Sequence, residues 1–324
     1  MSTPSIAVVS GGVGAARFLA GLVGAVDDPS AITAVVNTAD DCEIHGLSIS
    51  PDLDTVTYTL AGAIDPDRGW GLVGERWTAM ESLARYESVR PPGSSAANRW
   101  FNLGDRDLAT HLYRTARLAE GATLTAITDE VRRAWDVPIS IVPMTDDRIA
   151  TSVDTVEHGE ISFQDYFVRL HHDVAVSAVH FRGDARLSSV ARRALEQADV
   201  VVIAPSNPLV SIGPIRSLPD VDQILAARRE RVVAVSPIVG GAALKGPADR
   251  MLVELGHEAS VVGIARLYRT IASVLVVDEV DAHLADAVEA AGMRCVATPS
   301  VMSTPARARA LAAATLAAAG DRMR

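Results

Sequence analysis

The chain has 324 residues, a formal net charge of -10 at pH 7 and only two cysteines. Its length provides material for one large α/β domain or two smaller ones, and the acidic balance argues against a nucleic-acid or anionic-membrane surface. The cysteines lack a CxxC spacing, so neither a disulfide framework nor a structural metal is indicated. The chain starts without a basic leader or a long apolar segment, so a cytoplasmic protein without a membrane span is expected.

The first apolar run, Ile6 to Val9, leads into a glycine-rich turn and then into an apolar-periodic segment, Phe18 to Val23. This order predicts a strand, a tight turn and a helix. Glycines permit close backbone approach, and a helix N-terminus offers unpaired N–H groups to a phosphate. A P-loop lysine is absent, and Arg17 stands where a dinucleotide fingerprint has its third small residue. A tight turn that binds nothing is therefore the alternative to a phosphate-binding turn.

The next apolar run, Ile32 to Val36, has the composition of a buried parallel strand. The residues that follow it include five acids: Asp40, Asp41, Glu43, Asp52 and Asp54. These acids should gather at the carboxyl end of the strand, where open α/β sheets bind ligands. Clustered carboxylates repel one another unless a cation or a hydrogen-bonding substrate lies among them, which predicts a divalent-metal and substrate site. The alternative is a solvated acidic turn in which Asp40 caps a helix.

A helix is predicted from Thr55 to Ala63, with Asp54 as its N-cap. Residues 64–135 then have a mostly helical pattern, which includes an amphipathic helix from Glu75 to Tyr86. We therefore predict that residues 64–173 form a mainly helical, substrate-binding insertion that covers the front of the sheet.

An aromatic and charged turn lies inside this insertion. Trp100 stands shortly before an Asp-Arg-Asp triplet that starts with Asp105, a combination that suits a flat heteroaromatic ligand. An interhelical turn with Trp100 in the core is the simpler interpretation. Strand-like runs follow at 139–142, 149–156 and 174–181.

The α/β pattern resumes near residue 199, with strand-like runs at 199–204, 232–238 and 274–277 and a last helix from about Pro305 to Ala319. The first of these strands ends in Pro-Ser-Asn-Pro, and a flexible Gly-rich loop follows the second. Together with the glycine-rich turn after the first strand, three strand ends are followed by loops that suit phosphate. This pattern favours a nucleotide diphosphate bound across the edge of the sheet. The predicted fold class is α/β, a Rossmann-like, doubly wound, mostly parallel sheet, with residues 1–63 and 174–324 as its nucleotide-binding core.

With these residues in place, the chain resembles the 2-phospho-L-lactate transferase family of deazaflavin coenzyme biosynthesis, called CofD in archaea and FbiA in actinobacteria. The resemblance is carried, in order along the chain, by SGGVGAARF at 10–18, DD at 40–41, HGLSISPDLDTVTYTLAG at 45–62, DPDRGWG at 65–71, WFNLGDRDLATHL at 100–112, APSNPLVSIGPI at 204–215 and SPIVGGAALKGPAD at 236–249. The combination is far more specific than any one stretch.

The resemblance implies a transferase of coenzyme F-420 biosynthesis. Such an enzyme moves a phosphoenolpyruvyl or 2-phospholactyl group from a guanosine diphosphate conjugate to the ribityl hydroxyl of the deazariboflavin Fo, and it releases GMP. The family chemistry needs in-line positioning and charge neutralisation more than a covalent protein group. The resemblance also implies a homodimer.

The resemblance further implies roles for individual residues. Asp40 and Asp54 would be the catalytic residues, as ligands of Mg2+ or by positioning the attacking hydroxyl. The guanosine diphosphate moiety would contact Gly11, Gly12, Val13, Gly14, Ser206, Asn207, Pro208, Lys245 and Gly246. Further substrate-binding residues would be Asp52, Thr55 and Ser236, and those near the deazaflavin would be Trp100, Asp105 and Arg106.

Two other functions compete with this one. A non-catalytic nucleotide-sugar-binding regulator, similar to YvcK-type proteins, would share the glycine turn and the acidic loop, but it is not expected to carry both PDLDT and WFNLGDRD. A dinucleotide-dependent oxidoreductase is disfavoured by Arg17 and by the absence of a lone acid directly after the second strand.

Overall fold

The computed structural model describes residues 4–320, and the remaining residues of the predicted core, 1–3 and 321–324, lie outside this range. The strands are β1 Ile6–Ser10, β2 Ile32–Val36, β3 Cys42–Ile44, β4 Leu47–Ile49, β5 Ser140–Pro143, β6 Ala150–Thr155, β7 Gly159–Ser162, β8 Val176–Arg182, β9 Val200–Ile203, β10 Val232–Val235, β11 Ile238–Val239, β12 Ala242–Ala243, β13 Val274–Val277 and β14 Arg294–Ala297.

The α-helices are α1 Gly12–Ala25, α2 Pro51–Leu60, α3 Thr78–Leu83, α4 Asp107–Ala119, α5 Leu124–Ala134, α6 Ser189–Gln197, α7 Gly213–Ser217, α8 Val221–Ala227, α9 Ala248–Glu254, α10 Val261–Tyr268, α11 Ala285–Ala290 and α12 Pro305–Gly320. Short 3-10 turns occur at Pro29–Ala31, Ala84–Tyr86, Arg229–Arg231 and Glu279–Leu284, and a π-helical turn at Asp165–Arg169. Among residues 4–320, none of the helices has the length and apolarity that crossing a bilayer requires.

Seven parallel strands form the central sheet in the order β14-β13-β10-β9-β1-β2-β5. From β1 the chain first winds outward through β2 and β5, and it then returns to β9 and winds the other way. The strand order therefore reverses between β1 and β9, which is the switch point where doubly wound sheets form a crevice. The predicted α/β, Rossmann-like fold class is confirmed.

The central sheet is covered by apolar helices on both faces. Along β1, Ala7 and Val9 belong to one buried cluster, whereas Ile6 and Val8 belong to the cluster on the other face. Helices α6, α8 and α10 contribute to the first cluster, and α1, α2 and α12 contribute to the second. Burial on both faces explains why these strands are continuously apolar in sequence rather than alternating.

The segment 64–173 contains three α-helices, but it also contributes strands. β5 pairs with β2 and forms an edge of the central sheet, and β6 and β7 form a separate antiparallel sheet with β8. The amphipathic pattern from Glu75 to Tyr86 corresponds to a shorter helix, α3, which is followed by a 3-10 turn. The division into a core and an insertion stays a prediction. One strand of the central sheet, β5, comes from the residues assigned to the insertion.

The contact between α1 and α12 depends on a glycine. A Cβ placed on Gly21 would lie 2.4 Å from the backbone carbonyl of Ala308, a distance that side chains do not adopt. The two helices can approach this closely only because residue 21 has no side chain. Gly24, on the same helix, has space, since its Cβ would lie 3.7 Å from Cδ of Arg309.

We expect Gly21→Ala to lower the free energy of unfolding by about 1–3 kcal/mol, because overpacking forces the two helices apart. Gly24→Ala is the matched control, and it should be neutral or stabilising by up to about 1 kcal/mol because alanine has the higher helix propensity. Urea unfolding followed by circular dichroism would measure both. Equal stabilities for the two variants would contradict the close contact.

Candidate functional site

Two loops meet at the switch point of the sheet because two glycines leave room for them. Helix α1 starts immediately after β1, and a Cβ on Gly14 would lie 2.2 Å from the carbonyl oxygen of Pro205, in the loop after β9. A Cβ on Gly11 would likewise lie 2.8 Å from Cβ of Ser211. The glycine turn and the loop around Ser206, which the sequence analysis predicted as parts of one site, are therefore in contact.

The N-terminus of α1 already contacts an acid. The backbone N–H of Gly12, which has φ of 70°, donates to Oδ1 of Asp52 over 2.9 Å. Asp52 lies in the first turn of α2, so the N-terminal turns of two helices are joined by this bond. A carboxylate at a helix N-terminus is stabilised by the helix dipole.

Asn37 holds two of the predicted acids together. Its Nδ2 donates to Oδ2 of Asp40 over 3.1 Å and to Oδ2 of Asp52 over 3.0 Å, and its own Oδ1 accepts from the backbone of Ala39. Asn37 is fully buried directly after β2. The sequence analysis did not select it, although its position as the first polar residue after the strand was a usable signal.

Burial dominates the electrostatics of these acids. Burial, together with the charge of nearby Asp52, raises the pKa of Asp40 well above its usual value. Burial also raises the pKa of Asp41 and that of Asp52, the latter to about 6, although Ser50 donates to Asp41 and Asn37 to Asp52. A cation at this edge would favour the charged carboxylates.

Asp54 belongs to a different group of side chains. Helix α2 starts at Pro51 with Ser50 as its N-cap, so Asp54 lies inside the first turn and the prediction that it caps this helix is wrong. Proline is favoured at the first helical position, and this signal was present in the sequence. The carboxylate of Asp54 pairs with the guanidinium of Arg114, with Nη1 3.1 Å from Oδ2 and Nη2 bonded to Oδ1.

Arg114 is one of three polar residues on the same face of α4. Nδ1 of His111 lies 3.3 Å from Nη1 of Arg114, and its Nε2 lies 3.2 Å from Oδ2 of Asp107. The hydroxyl of Tyr58, on α2, donates to Oδ1 of Asp107 over 2.6 Å. Burial would raise the pKa of Asp107, but His111, Tyr58 and Arg114 together lower it. The sequence analysis missed Asp107, His111 and Arg114 as site residues.

Two sets of side chains at this edge could hold a metal ion. Asp54, Asp107 and His111 each offer a ligand atom, and these atoms lie within 4.8 Å of one another, although the guanidinium of Arg114 contacts the same group. Oδ1 of Asp40 and Oδ1 of Asp41 are buried, and neither has a hydrogen-bond partner within residues 4–320. Unpartnered buried carboxylate oxygens are suitable ligands for a hard cation.

Lys245 approaches the glycine turn from the other side. Its Nζ donates to the carbonyl oxygen of Arg68 over 3.4 Å. A Cβ on Gly69, which is buried with φ of 74°, would lie 2.6 Å from this Nζ and 3.9 Å from Cγ1 of Val13. The loop 65–71 therefore lies between Val13 and the only lysine of the chain. Gly246 follows in the same exposed loop as Lys245.

The predicted substrate-binding residues after β9 and β10 differ in whether their polar groups already have hydrogen-bond partners. Oγ of Ser206 is buried and has no hydrogen-bond partner among the described residues. Oδ1 of Asn207 accepts from the backbone of Leu209, and Pro208 beside it is buried. Ser236 is bonded locally, because its Oγ donates to the carbonyl oxygen of Ile238. Ser206 is thus the one of these predicted residues with a free buried hydroxyl.

Asp105 and Arg106 connect two segments of the insertion. The carboxylate of Asp105 accepts the N–H groups of Thr78 and Ala79 at the start of α3. In return, the carboxylate of Glu75 accepts the N–H groups of Arg106 and of the following residue at the start of α4. The two acids therefore cap each other's helices, which satisfies unpaired N–H groups at both starts.

Trp100 and Thr55 complete the predicted set. Trp100 is half-buried against the cluster that includes Ile44 and Ile49, on the hairpin that β3 and β4 form after the acidic turn. Thr55 is half-buried on α2, next to Asp54. The aromatic residue is thus tied to the segment that also carries the acids.

A parallel sheet with a glycine turn and buried carboxylates at its switch point defines a doubly wound α/β protein. The profile of the family described as 2-phospho-L-lactate transferase CofD matches residues 6–310, and the chain belongs to this family. It is therefore a transferase of this type, and the resemblance seen in the sequence is confirmed.

Individual relatives agree with this assignment. The chain is 40% identical to a phosphoenolpyruvate transferase of Kitasatospora aureofaciens over 98% of both proteins. It is 42% identical to a phosphoenolpyruvate transferase of Streptomyces griseus over 92% of this chain and 93% of that protein. A crystal structure of a UPF0052-family protein of Bacillus halodurans has a TM-score of 0.59 at 15% identity, covers 96% of this chain and 99% of its own, and supports the fold.

We expect Asp105→Asn to lower the thermal stability of the protein, because the weaker acceptor caps α3 less well. The N–H groups of Ala79 and Thr78 lower the pKa of Asp105, which agrees with a stabilised carboxylate. Asp67→Asn is the control, since Asp67 is exposed in the loop 65–71. Differential scanning fluorimetry would compare the midpoints, and an unchanged midpoint for Asp105→Asn would contradict the capping role.

Proposed function

We propose that the chain transfers a phosphoenolpyruvyl or 2-phospholactyl group from a guanosine diphosphate conjugate to the ribityl hydroxyl of Fo, with release of GMP, in coenzyme F-420 biosynthesis. The names of the relatives favour the phosphoenolpyruvyl donor of the two. The observation that carries the proposal is the meeting of the glycine turn, the Ser206 loop and the buried acids at the switch point. A cytoplasmic homodimer is part of the same proposal.

The glycine turn would bind the diphosphate of the donor. The first N–H groups of α1, at Gly12, Val13 and Gly14, have no acceptor four residues back within the helix, and the N–H of Gly12 already donates to Asp52. The free hydroxyl of Ser206 and the ammonium of Lys245 would add a donor and a positive charge. The remaining residues predicted for the donor, Gly11, Asn207, Pro208, Ser236 and Gly246, would shape the same loops, as Gly11 and Asn207 do through their contacts.

Asp40 and Asp54, one from each of the two sets of side chains described above, would hold Mg2+, with the unpartnered oxygen of Asp40 as the first ligand. Asp41, whose Oδ1 is also unpartnered, is a further candidate of this donor set. When bound, the ion would supply charge neutralisation at the phosphates. Asp52, which is bonded to the glycine turn and to Asn37, would keep the turn beside these acids.

Asp54 would orient the acceptor hydroxyl and accept its hydrogen bond. Each carboxylate oxygen has two lone pairs, so the pairing with Arg114 leaves acceptor capacity on both. Thr55, on the next position of α2, would bind beside it. Trp100 would offer its half-buried ring to the deazaflavin, and Asp105 and Arg106 would hold the surrounding turn through the reciprocal caps.

The purified protein is incubated with Fo, Mg2+ and each candidate conjugate in parallel reactions. We expect the mass of Fo to increase by the acyl phosphate of one donor, and GMP to be released only when metal is present. Mass spectrometry would identify the product.

Asp54→Asn should reduce turnover about 10²- to 10⁴-fold, because the hydroxyl loses its charged acceptor. Glu43→Gln, an exposed acid of the same stretch, is the matched control and should keep wild-type turnover.

Transfer by Asp54→Asn at the wild-type rate would contradict the role of Asp54. Tight nucleotide binding without product from any donor would instead indicate the non-catalytic regulator of the YvcK type.

We further expect Mg2+ to raise the thermal stability of metal-free protein, because the ion binds the folded state only. At a hundredfold excess over its Kd the gain is about 2.7 kcal/mol. Asp40→Asn should lose most of this gain, whereas Asp27→Asn, at an exposed position before β2, should keep it. Differential scanning calorimetry with and without chelator would measure both. The same gain in Asp40→Asn and in wild type would exclude Asp40 as a ligand.

A further inference from the structure

Helix α4 buries a charged residue that neither the family resemblance nor the relatives' names assign a role. Arg114 is 3% exposed and lies inside the protein on the face of α4 that points to α2. A guanidinium can only donate hydrogen bonds, and its burial is unfavourable unless acceptors surround it. Its position therefore has to be explained by the groups that accept from it.

Three residues surround Arg114 with four acceptor atoms. The two carboxylate oxygens of Asp54 take one nitrogen each, in a fork that fixes both the distance and the plane of the carboxylate. The carbonyl oxygen of Ser48, on β4, lies 3.2 Å from Nη1. Nδ1 of His111 completes the set at 3.3 Å from the same nitrogen.

His111 lies between Arg114 and a second carboxylate. Because a guanidinium can only donate, Nδ1 of His111 can take part in this contact only as an acceptor, whereas its Nε2 makes no hydrogen bond within residues 4–320. Nε2 is 3.2 Å from Oδ2 of Asp107, whose other oxygen accepts from Tyr58. His111 is 1% exposed, so water does not compete in this chain of contacts.

We propose that Arg114 is a positioning residue for the transfer reaction, which holds the carboxylate of Asp54 in one orientation, and that His111, whose ring packs beside Asp107, supports Arg114 in turn. The inference rests on the proposed function, in which Asp54 meets the acceptor hydroxyl. It assigns to α4, a helix of the predicted insertion, the task of setting the geometry at the carboxyl edge of the sheet. Misplacement of a reacting group by about 1 Å can lower turnover about 10²-fold.

The first experiment compares two arginines of α4. Arg117 also pairs with a carboxylate, that of Glu130, but it lies at the surface away from Asp54. We expect Arg114→Met to lower kcat about 10²-fold with little change in the KM for the guanosine diphosphate conjugate, and Arg117→Met to leave both near wild type. A fall in kcat that is equal for both variants would indicate a general effect of α4 and overturn the proposal.

The second experiment tests whether His111 acts through Arg114. His111→Leu removes the acceptor, whereas His111→Asn keeps an oxygen near the position of Nδ1 and should retain most of the turnover. His111→Leu combined with Arg114→Met should be no slower than the slower single variant, because both remove the same support. Losses that multiply in the double variant would overturn the proposed chain of contacts. If circular dichroism shows that Arg114→Met does not fold, the two His111 variants still test the proposal. Equal turnover of His111→Leu and His111→Asn would then overturn it.

A measurement without turnover separates this inference from the proposed function. If wild-type protein makes no product with any donor, the proposed function fails, and the pairing is then tested by thermal unfolding of Asp54→Asn, Arg114→Met and the double variant. Shifts of the unfolding midpoint that are not additive in the double variant would support Arg114 as the residue that orients Asp54. Additive shifts would overturn this inference. Mg2+ binding by calorimetry that is lost in Asp107→Asn and in His111→Asn would assign these side chains to a metal and also overturn it.

Discussion

The structure depends on how several buried carboxylates are accommodated at one edge of a sheet. Asp40, Asp41, Asp52 and Asp54 are all buried or nearly so. Burial raises the pKa of the first three, and repulsion by neighbouring carboxylates raises the pKa of Asp40 and of Asp41 further. Each carboxylate has at least one neutral or positive partner, which for Asp41 is the hydroxyl of Ser50. The amide of Asn37 contacts two of them, the start of α1 contacts Asp52, and Arg114 contacts Asp54. Without these partners, the burial of the carboxylates at this edge would destabilise the folded state.

This requirement explains why the insertion is bound so closely to the core. The guanidinium that pairs with Asp54 comes from α4, so α4 must be held against α2 with little freedom. The reciprocal caps of Glu75 and Asp105 fix the start of α4, and the bond between Tyr58 and Asp107 fixes its first turn to α2. Stability and the geometry of the site are therefore provided by the same contacts.

The sequence predicted what local pattern determines. Apolar runs located β1, β2, β9, β10 and β13. Of the five acids after β2, Asp40, Asp52 and Asp54 are buried and Asp41 is half-buried, whereas Glu43 is exposed on β3. The sequence did not predict that Asp40 is joined to Asp52 through Asn37, or that Asp54 pairs with a residue sixty positions later. The first link depends on how the turn after β2 meets the start of α2, and the second depends on how α4 packs on α2. Residue spacing within one element cannot predict either contact. The start of α2 was missed because the capping preference of aspartate was weighed above the proline at position 51.

The bond between Asp52 and Gly12 links the two halves of the site. A diphosphate bound at the glycine turn would seek the N–H groups at the start of α1, one of which donates to Asp52. Phosphate and carboxylate would then lie close together with like charge, beside Asp40, which is held through the same asparagine. Like charges at such distances repel strongly in a buried site, so the anion and a cation would be bound more favourably together than either alone. In the proposed function the acidic edge and the glycine turn would therefore act as one site, and Asp52 is the residue that contacts both.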